Sequence, residues 1–315
     1  MLADVLGDEP SFAKEQDSSL RKLIAQGLSS TRTVPPIPAP VPGSPETYFR
    51  ASALGKACAR KEALKIVHSL CDQDTVDADL ALIFAKGHAA HWMHQEHLMP
   101  AVAKRAMVGW WSGPGGTLST TAHEPLRLWS YSEAVESIGH ASYMEPHIHD
   151  HENCLKGHPD MILDWDLVEK PPHGSPSGLE IIEFKTRNGM SSAWSAVDPD
   201  VGGAPLPAHI LQVQAYMMMT GIKRARIVYL RKGEFSDLQE CYAEHVVKSD
   251  ASVQSKIKTF LSAWRAALTE AVESHKVPDR TKCATFDCQQ SKSCGLRYKC
   301  FNKTSKNEQV SPWAG

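Results

Sequence analysis

A chain of 315 residues, 42% of them hydrophobic, is long enough to bury one sizeable core or two small ones. Its 34 Lys and Arg against 36 Asp and Glu give a net charge of −2 and a pI near 6.7, which excludes a generally basic nucleic-acid coat and makes any polyanion contact local. No apolar run approaches the length of a membrane span, so no contact with a membrane is expected.

Residues 1–46 read as an arm and a linker. The start, Met1 to Gly7, has an acidic residue at Asp4 and no basic segment before an apolar core, so no secretory signal is expected. Ser11 to Gly27 has helical composition, with Phe12, Leu20, Leu23 and Ile24 partly on one face. Val34 to Pro45 carries too many prolines for a helix or a central strand and reads as a polyproline-like spacer. The body then runs over residues 47–301, and 302–315 is a polar tail.

Within the body the periodicity predicts helices over Ala51–Leu70 and Asp77–Leu98, the second continuing irregularly through Ala101–Ser112. Candidate strands follow at Leu126–Ser130, Ala141–Met144, Met161–Trp165 and Glu180–Lys185. A helix over residues 209–220, a strand at Ala225–Leu230 and a long helix from Ser249 to Ser274 complete an α/β plan. No internal repeat is evident.

Chemistry concentrates at a few points of this plan. In Gly157-His158-Pro159-Asp160, Gly and Pro punctuate the chain before the apolar run Met161-Ile162-Leu163, placing Asp160 at the entry to a strand. In Leu179 to Lys185, period-two alternation puts Ile182 and Phe184 on one face with Glu180, and Glu183 with Lys185 on the other. Asp160 and Glu183 are hard oxygen ligands suited to Mg2+ or Mn2+, and Lys185 is suited to orienting a water or stabilising developing charge. Gln212 and Tyr216 lie four apart on one helix face, where amide and hydroxyl can reach a phosphate or a catalytic carboxylate. His91 shares its segment with His88, His94 and His97, a spacing that also permits another metal site or a solvated histidine face.

Four cysteines follow as Cys283-x4-Cys288-x5-Cys294-x5-Cys300, and Cys58 lies far upstream. Clustered cysteines in an intracellular chain favour metal over disulfides, and four thiolates suit Zn2+. Cys71, Cys154 and Cys241 are isolated and read as small buried or half-exposed thiols. His140, His147, His149, His151 and His158 form a run leading into Asp160, read mostly as solvated or DNA-facing, with a transition metal as the alternative. Basic clusters stand at Lys185 and Arg187, at Lys223, Arg224, Arg226, Arg231 and Lys232, and at Lys282, Lys292, Arg297 and Lys299; each suits a phosphate backbone or an ordinary solvated face. Trp194 and the Trp110-Trp111 pair suit base stacking or, with twice the weight, the core.

Pro159-Asp160 followed by Glu183-x-Lys185 resembles the PD-(D/E)xK nuclease superfamily, specifically its RecB-like and Cas4-like exonuclease branch. Gly87-His88-Ala89-Ala90-His91 upstream and Gln212-Val213-Gln214-Ala215-Tyr216 downstream stand in the family's order. The resemblance covers most of residues 50–301 and implies a restriction-endonuclease-like core, a central mixed sheet flanked by helices, with a cysteine metal staple at its C-terminal end. It implies a Mg2+ or Mn2+ held by His91, Asp160 and Glu183, and catalytic roles for Asp160, Glu183, Lys185, Gln212 and Tyr216, the last two holding the substrate end. It further implies a 4Fe-4S cluster on Cys58, Cys283, Cys294 and Cys300, with Cys288 the alternative to Cys283, although the family's short Cys-x2-Cys step is absent here. Structural Zn2+ remains the other possibility.

The activity implied is a metal-dependent DNA exonuclease acting on linear ends or single strands in phage or bacterial DNA recombination, replication or repair, in the bacterial or host cytoplasm. No Gly-x4-Gly-Lys-Ser/Thr loop is present, so any unwinding motor would be a separate replication or recombination protein. Two other readings stay open: a Cas4-like nuclease subunit of a larger DNA-processing complex, and a non-catalytic, zinc-stapled DNA-binding module.

Overall fold

The computed structural model describes residues 30–34, 44, 47–55, 58–68, 72–76, 78–120, 125–169, 171, 175–188, 191–232, 241–280, 283, 285–292, 294 and 296–302. The helix expected over 11–27, the proline-rich spacer apart from Val34 and Ser44, the tail from 303, Cys71 and Lys282 lie outside these residues.

In chain order the elements begin with β1 (Ser30–Val34), β2 (Phe49–Arg50), α1 (Ala59–Val67) and β3 (Asp72–Val76). Next, α2 (Ala78–Met93) runs through a π-helical turn, His94–Leu98, into α3 (Met99–Ala103). Then come β4 (Met107–Gly113), β5 (Gly116–Leu118), β6 (Trp129–Ser130), α4 (Tyr131–Ile138) and β7 (Ser142–Met144). They are followed by β8 (Ile148–Asp150), β9 (Leu155–Gly157), β10 (Met161–Asp164) and β11 (Leu179–Asn188). The chain continues with α5 (Ser191–Ser195), α6 (Pro207–Thr220), β12 (Arg224–Lys232), β13 (Tyr242–Lys248) and α7 (Ala251–Ser274), and ends in two single-turn helices, α8 (Gln289–Lys292) and α9 (Arg297–Cys300).

The main sheet has the order β13-β12-β11-β10-β4-β5, with β6 and β7 also pairing with β4. Its pairs are antiparallel except β11 with β12, which run parallel because α6 carries the chain back over one face between them. A smaller sheet, β2-β9-β8, and the antiparallel pair β1 with β3 stand apart from it.

The alternation of β11 divides the interior in two. Ile182 and Phe184 pack with Met107, Trp111, Met161, Leu163 and Val228, under Ala103 at the end of α3 and Ala134 and Ile138 of α4. Ile181 faces the other way, into a core shared with Val213 and Met217 of α6 and with Ile257, Leu261, Trp264 and Leu268 of α7. The result is a mixed α/β fold with a central mixed sheet flanked by helices, as the sequence predicts.

Two local expectations are corrected. Residues 107–113 form β4 and not a continuation of the preceding helix. A short apolar run buried on both faces reads the same in either structure, and the bulky Val108, Trp110 and Trp111 favour the strand. The helix expected over Ala51–Leu70 is a single 3-10 turn, Ala51–Ala53, followed after a break by α1. Trp110, Trp111 and Trp194, at 8%, 0% and 5% exposure, are core residues, the favoured of the two readings.

Candidate active site

Strand register brings the two acidic residues together. In the antiparallel pair of β10 and β11, Met161 stands opposite Ile182, so one step further Asp160 faces Glu183. Asp160 is pinned there: its Oδ2 accepts the Phe184 backbone N–H at 2.7 Å, and its Oδ1 lies 3.3 Å from His91 Nδ1. Lys185, two residues after Glu183 on the same strand face, donates from Nζ to Glu183 Oε1.

The α6 pair braces this arrangement from behind. Gln212 Nε2 donates to Glu183 Oε1 at 2.7 Å and lies 2.7 Å from the Tyr216 hydroxyl, which itself donates to the His158 carbonyl oxygen at 2.9 Å. Gln212 and Tyr216 are largely buried yet line the cleft, and their bonds tie the Glu183 carboxylate to the Gly157–Asp160 turn. Gly157 fits the same design, because a Cβ there would run into the Tyr216 ring.

These bonds use one oxygen of Glu183 and leave the other, Oε2, buried without a hydrogen-bond partner among the described residues. Burial, and then the neighbouring Asp160 charge, push the Glu183 carboxyl up to about 7. Burial would lower the pKa of Lys185, but Glu183 and Asp160 outweigh it and hold the ammonium. For His91, burial likewise acts downward and the bond to Asp160 prevails, raising its pKa. An orphan carboxylate oxygen beside a second carboxylate is a donor set that fits a hard divalent cation.

Two residues that the sequence reading missed complete this wall. Gln95 donates from one amide nitrogen to Glu145 Oε1 at 2.8 Å and to the Asp160 carbonyl oxygen at 2.9 Å. Glu145 faces the same cleft, and burial raises its pKa. The available signal was position: Glu145 directly follows β7 and precedes Pro146. Gln95 sits in the π turn, a local widening that sequence periodicity does not register.

The cleft has a volume of about 1130 Å³ and is lined by His91, Glu145, Asp160, Glu183, Gln212 and Tyr216 among others. Its basic side chains are Arg50, Lys156 and Lys232. Of the described members of the basic clusters expected to follow a phosphate backbone, Lys232 lines this cleft and Lys185 is bonded to Glu183 within it. Arg224 and Arg226 instead hold the fully buried Glu180, at 2.6 and 3.3 Å, on the other face of β11. Arg187 donates to the Ala193 carbonyl oxygen, and Arg231 stacks over Trp194.

The histidines separate into distinct roles. His94 is buried, bonded to the Ala90 carbonyl oxygen and the Tyr242 hydroxyl, so the row 88, 91, 94, 97 does not converge. His147, His149 and His158 line the cleft, with His147 stacked on His158 at a ring separation of 3.8 Å. Burial, and then the proximity of His147, pull His158 down to about 4, so it is neutral at neutral pH. His151 bonds the Tyr48 hydroxyl, and His140 is exposed.

The distant cysteines meet. Burial pushes the Cys283 thiol up to about 11, followed by its bond to Cys288 and the closeness of Cys288, Cys58 and Cys294. Cys300 accepts a bond from Arg60 Nε, in the same helix that begins beside Cys58. All five are half-buried and in no disulfide. Among the described residues no three His, Cys, Asp or Glu side chains stand at preset metal-ligand geometry, in this cluster or in the cleft. No described helix is long and apolar enough to cross a membrane.

No protein-family model matches the chain, and no curated protein matches it. Among solved structures it is similar to an alkaline exonuclease (LHK-Exo) from Laribacter hongkongensis, with 15% identity over 72% of this chain and 91% of that one and a TM-score of 0.40. The same exonuclease in complex with dAMP gives 15% identity, 73% and 91% coverage and a TM-score of 0.38. A phage-related exonuclease from Haemophilus somnus gives 11% identity, 73% and 96% coverage and a TM-score of 0.42.

Proposed function

We propose that the chain is a Mg2+- or Mn2+-dependent DNA exonuclease of the PD-(D/E)xK type. The observation that carries this reading is the convergence of Asp160 and Glu183 in one cleft, with Lys185 bonded to Glu183 and Glu183 Oε2 buried without a partner among the described residues. Asp160 and Glu183 would hold the cation, with His91 beside them. When bound, the ion supplies Lewis-acid polarisation of a phosphate and a more acidic water.

The protein's own groups account for the rest. Gln212 and Tyr216 fix the Glu183 rotamer, and the Phe184 amide fixes Asp160, so neither carboxylate must reorganise when charge develops. Lys185 keeps its proton on Nζ and neutralises charge gathering on the phosphate oxygens. Arg50, Lys156 and Lys232 offer cations to the flanking backbone phosphates. The preference for ends over internal sites follows the RecB-like resemblance, as does a role in phage or bacterial DNA recombination, replication or repair. Incubation of matched linear and closed-circular DNA with Mn2+ or with EDTA tests it: linear DNA lost only with metal and circles spared is the expected result, and circles cut equally well would replace exonuclease by endonuclease.

The cysteine group is proposed as a metal staple, either a 4Fe-4S cluster or Zn2+. Its support is that Cys58 and the C-terminal thiols share one neighbourhood although more than two hundred residues separate them.

A further inference from the structure

We infer that Trp92 is the stacking platform for the terminal nucleobase of the substrate strand, an inference that rests on the nuclease reading and specifies how that site grips an end. Trp92 directly follows His91 in α2 and lines the same cleft, yet 58% of it is exposed. Among the described tryptophans, Trp110, Trp111, Trp194 and Trp264 are core residues and Trp129 and Trp165 are half-buried. An indole has much to gain from burial, so one left in water at a functional cleft is suited to a partner that arrives from outside.

Local geometry holds it in place. The hydrogen bonds of the π turn, His94–Leu98, span five residues instead of four, and the His97 ring packs edge-on against Trp92 with centroids 4.4 Å apart. The same turn sends His94 into the core and Gln95 to Asp160, so the reach of Trp92 is tied to the carboxylate site.

The chemistry of the surroundings selects the occupant. Arg50, Lys156 and Lys232 line the same cleft and suit phosphates, whereas Trp92 supplies a flat apolar face. A nucleotide carries both complements, and every base has a π-face, so recognition at Trp92 is tolerant of sequence.

The test uses the full chain with Trp92→Ala and Trp92→Phe, and single-stranded oligonucleotides whose terminal nucleotide is normal or abasic at each end in turn. Trp92→Ala is expected to raise KM for normal ends between roughly fivefold and a hundredfold, with a smaller change in kcat, and Trp92→Phe to restore most of the loss. On abasic ends the wild type and Trp92→Ala should converge. A KM for Trp92→Ala within about twofold of an active wild type, or an equal loss on abasic ends, overturns the inference alone. A wild-type protein that neither binds nor cuts DNA overturns the nuclease reading and this inference with it.

Discussion

The side-chain amide of Gln212 donates to Oε1 of Glu183 at 2.7 Å, reaching from a helix on one face of the sheet to a carboxylate 29 residues earlier in the chain. That bond, with Lys185 on the same oxygen, leaves Oε2 buried without a hydrogen-bond partner among the described residues. The Gln-x3-Tyr pair therefore links Glu183 to the His158 carbonyl oxygen through one chain of hydrogen bonds.

Tyr216→Phe removes only the hydroxyl that links Gln212 to the His158 carbonyl oxygen. The buried Gln212 amide then loses an acceptor, and a buried polar group left without its partner costs about 1–3 kcal/mol. Denaturant unfolding should show a loss in that range. Cleavage should fall with it, because the Asp160 turn and the Glu183 rotamer lose a shared anchor. Unchanged stability and activity would mean the hydroxyl braces nothing.

Gln95→Leu removes both the donor to Glu145 and the donor to the Asp160 carbonyl oxygen. With its bond from Gln95 gone, burial raises the Glu145 carboxyl further, and Asp160 is freer to shift. Titration of activity with Mn2+ should require roughly tenfold more metal for half-maximal rate, the size expected when a group supporting a ligand is lost. Glu145→Gln, which keeps an acceptor for Gln95, should be milder.

The two faces of β11 separate stability from chemistry. Glu180 is fully buried and holds Arg224, Arg226 and the Trp165 indole N–H. Glu180→Ala should cost roughly 2–4 kcal/mol, the lower part of the range for breaking a buried pair because both arginines retain some solvent. Glu183→Gln, three residues on, should fold normally and abolish cleavage. Thermal unfolding and a nuclease assay on the two variants check the contrast, and loss of fold in Glu183→Gln would blur the division.

The arrangement of Asp160, Glu183, Lys185, Gln212 and Tyr216 was legible because each sits in a local pattern, a turn before a strand, an alternating strand or an i, i+4 helix pair, and the sheet register then joins the two strands; His91 came only with the RecB-like resemblance. The enclosure of the α6 pair was not legible, since only packing shows that both side chains are buried. Gln95 and Glu145 depend on the π turn and on contacts 50 and 65 residues distant. Arg50 and Lys156 reach the cleft from β2 and β9, whose pairing in a small separate sheet leaves only a weak trace in residues two or three long. The arginines of β12, prominent as a basic cluster, are drawn to Glu180 by a pairing that only the three-dimensional register reveals.

Removing the cysteine metal tests the staple separately from the nuclease. Cys58→Ser should lower bound iron and acid-labile sulfide, or zinc if that is the metal, and reduce thermal stability. Cys154→Ser should leave metal content unchanged, as that thiol is buried beside Arg265 and not part of the group. Purified protein with neither metal at stoichiometric level would contradict the staple.

The central claim is that Asp160 and Lys185 act on a phosphodiester bond, and the most direct measurement is the rate of nucleotide release from end-labelled linear DNA by the wild type, Asp160→Ala and Lys185→Ala, each with Mn2+ and with EDTA. The account predicts release by the wild type in Mn2+ alone and none above background from either variant, with all three chains folded. DNA binding without release by the wild type in Mg2+ and Mn2+, or release that survives both substitutions, would contradict it.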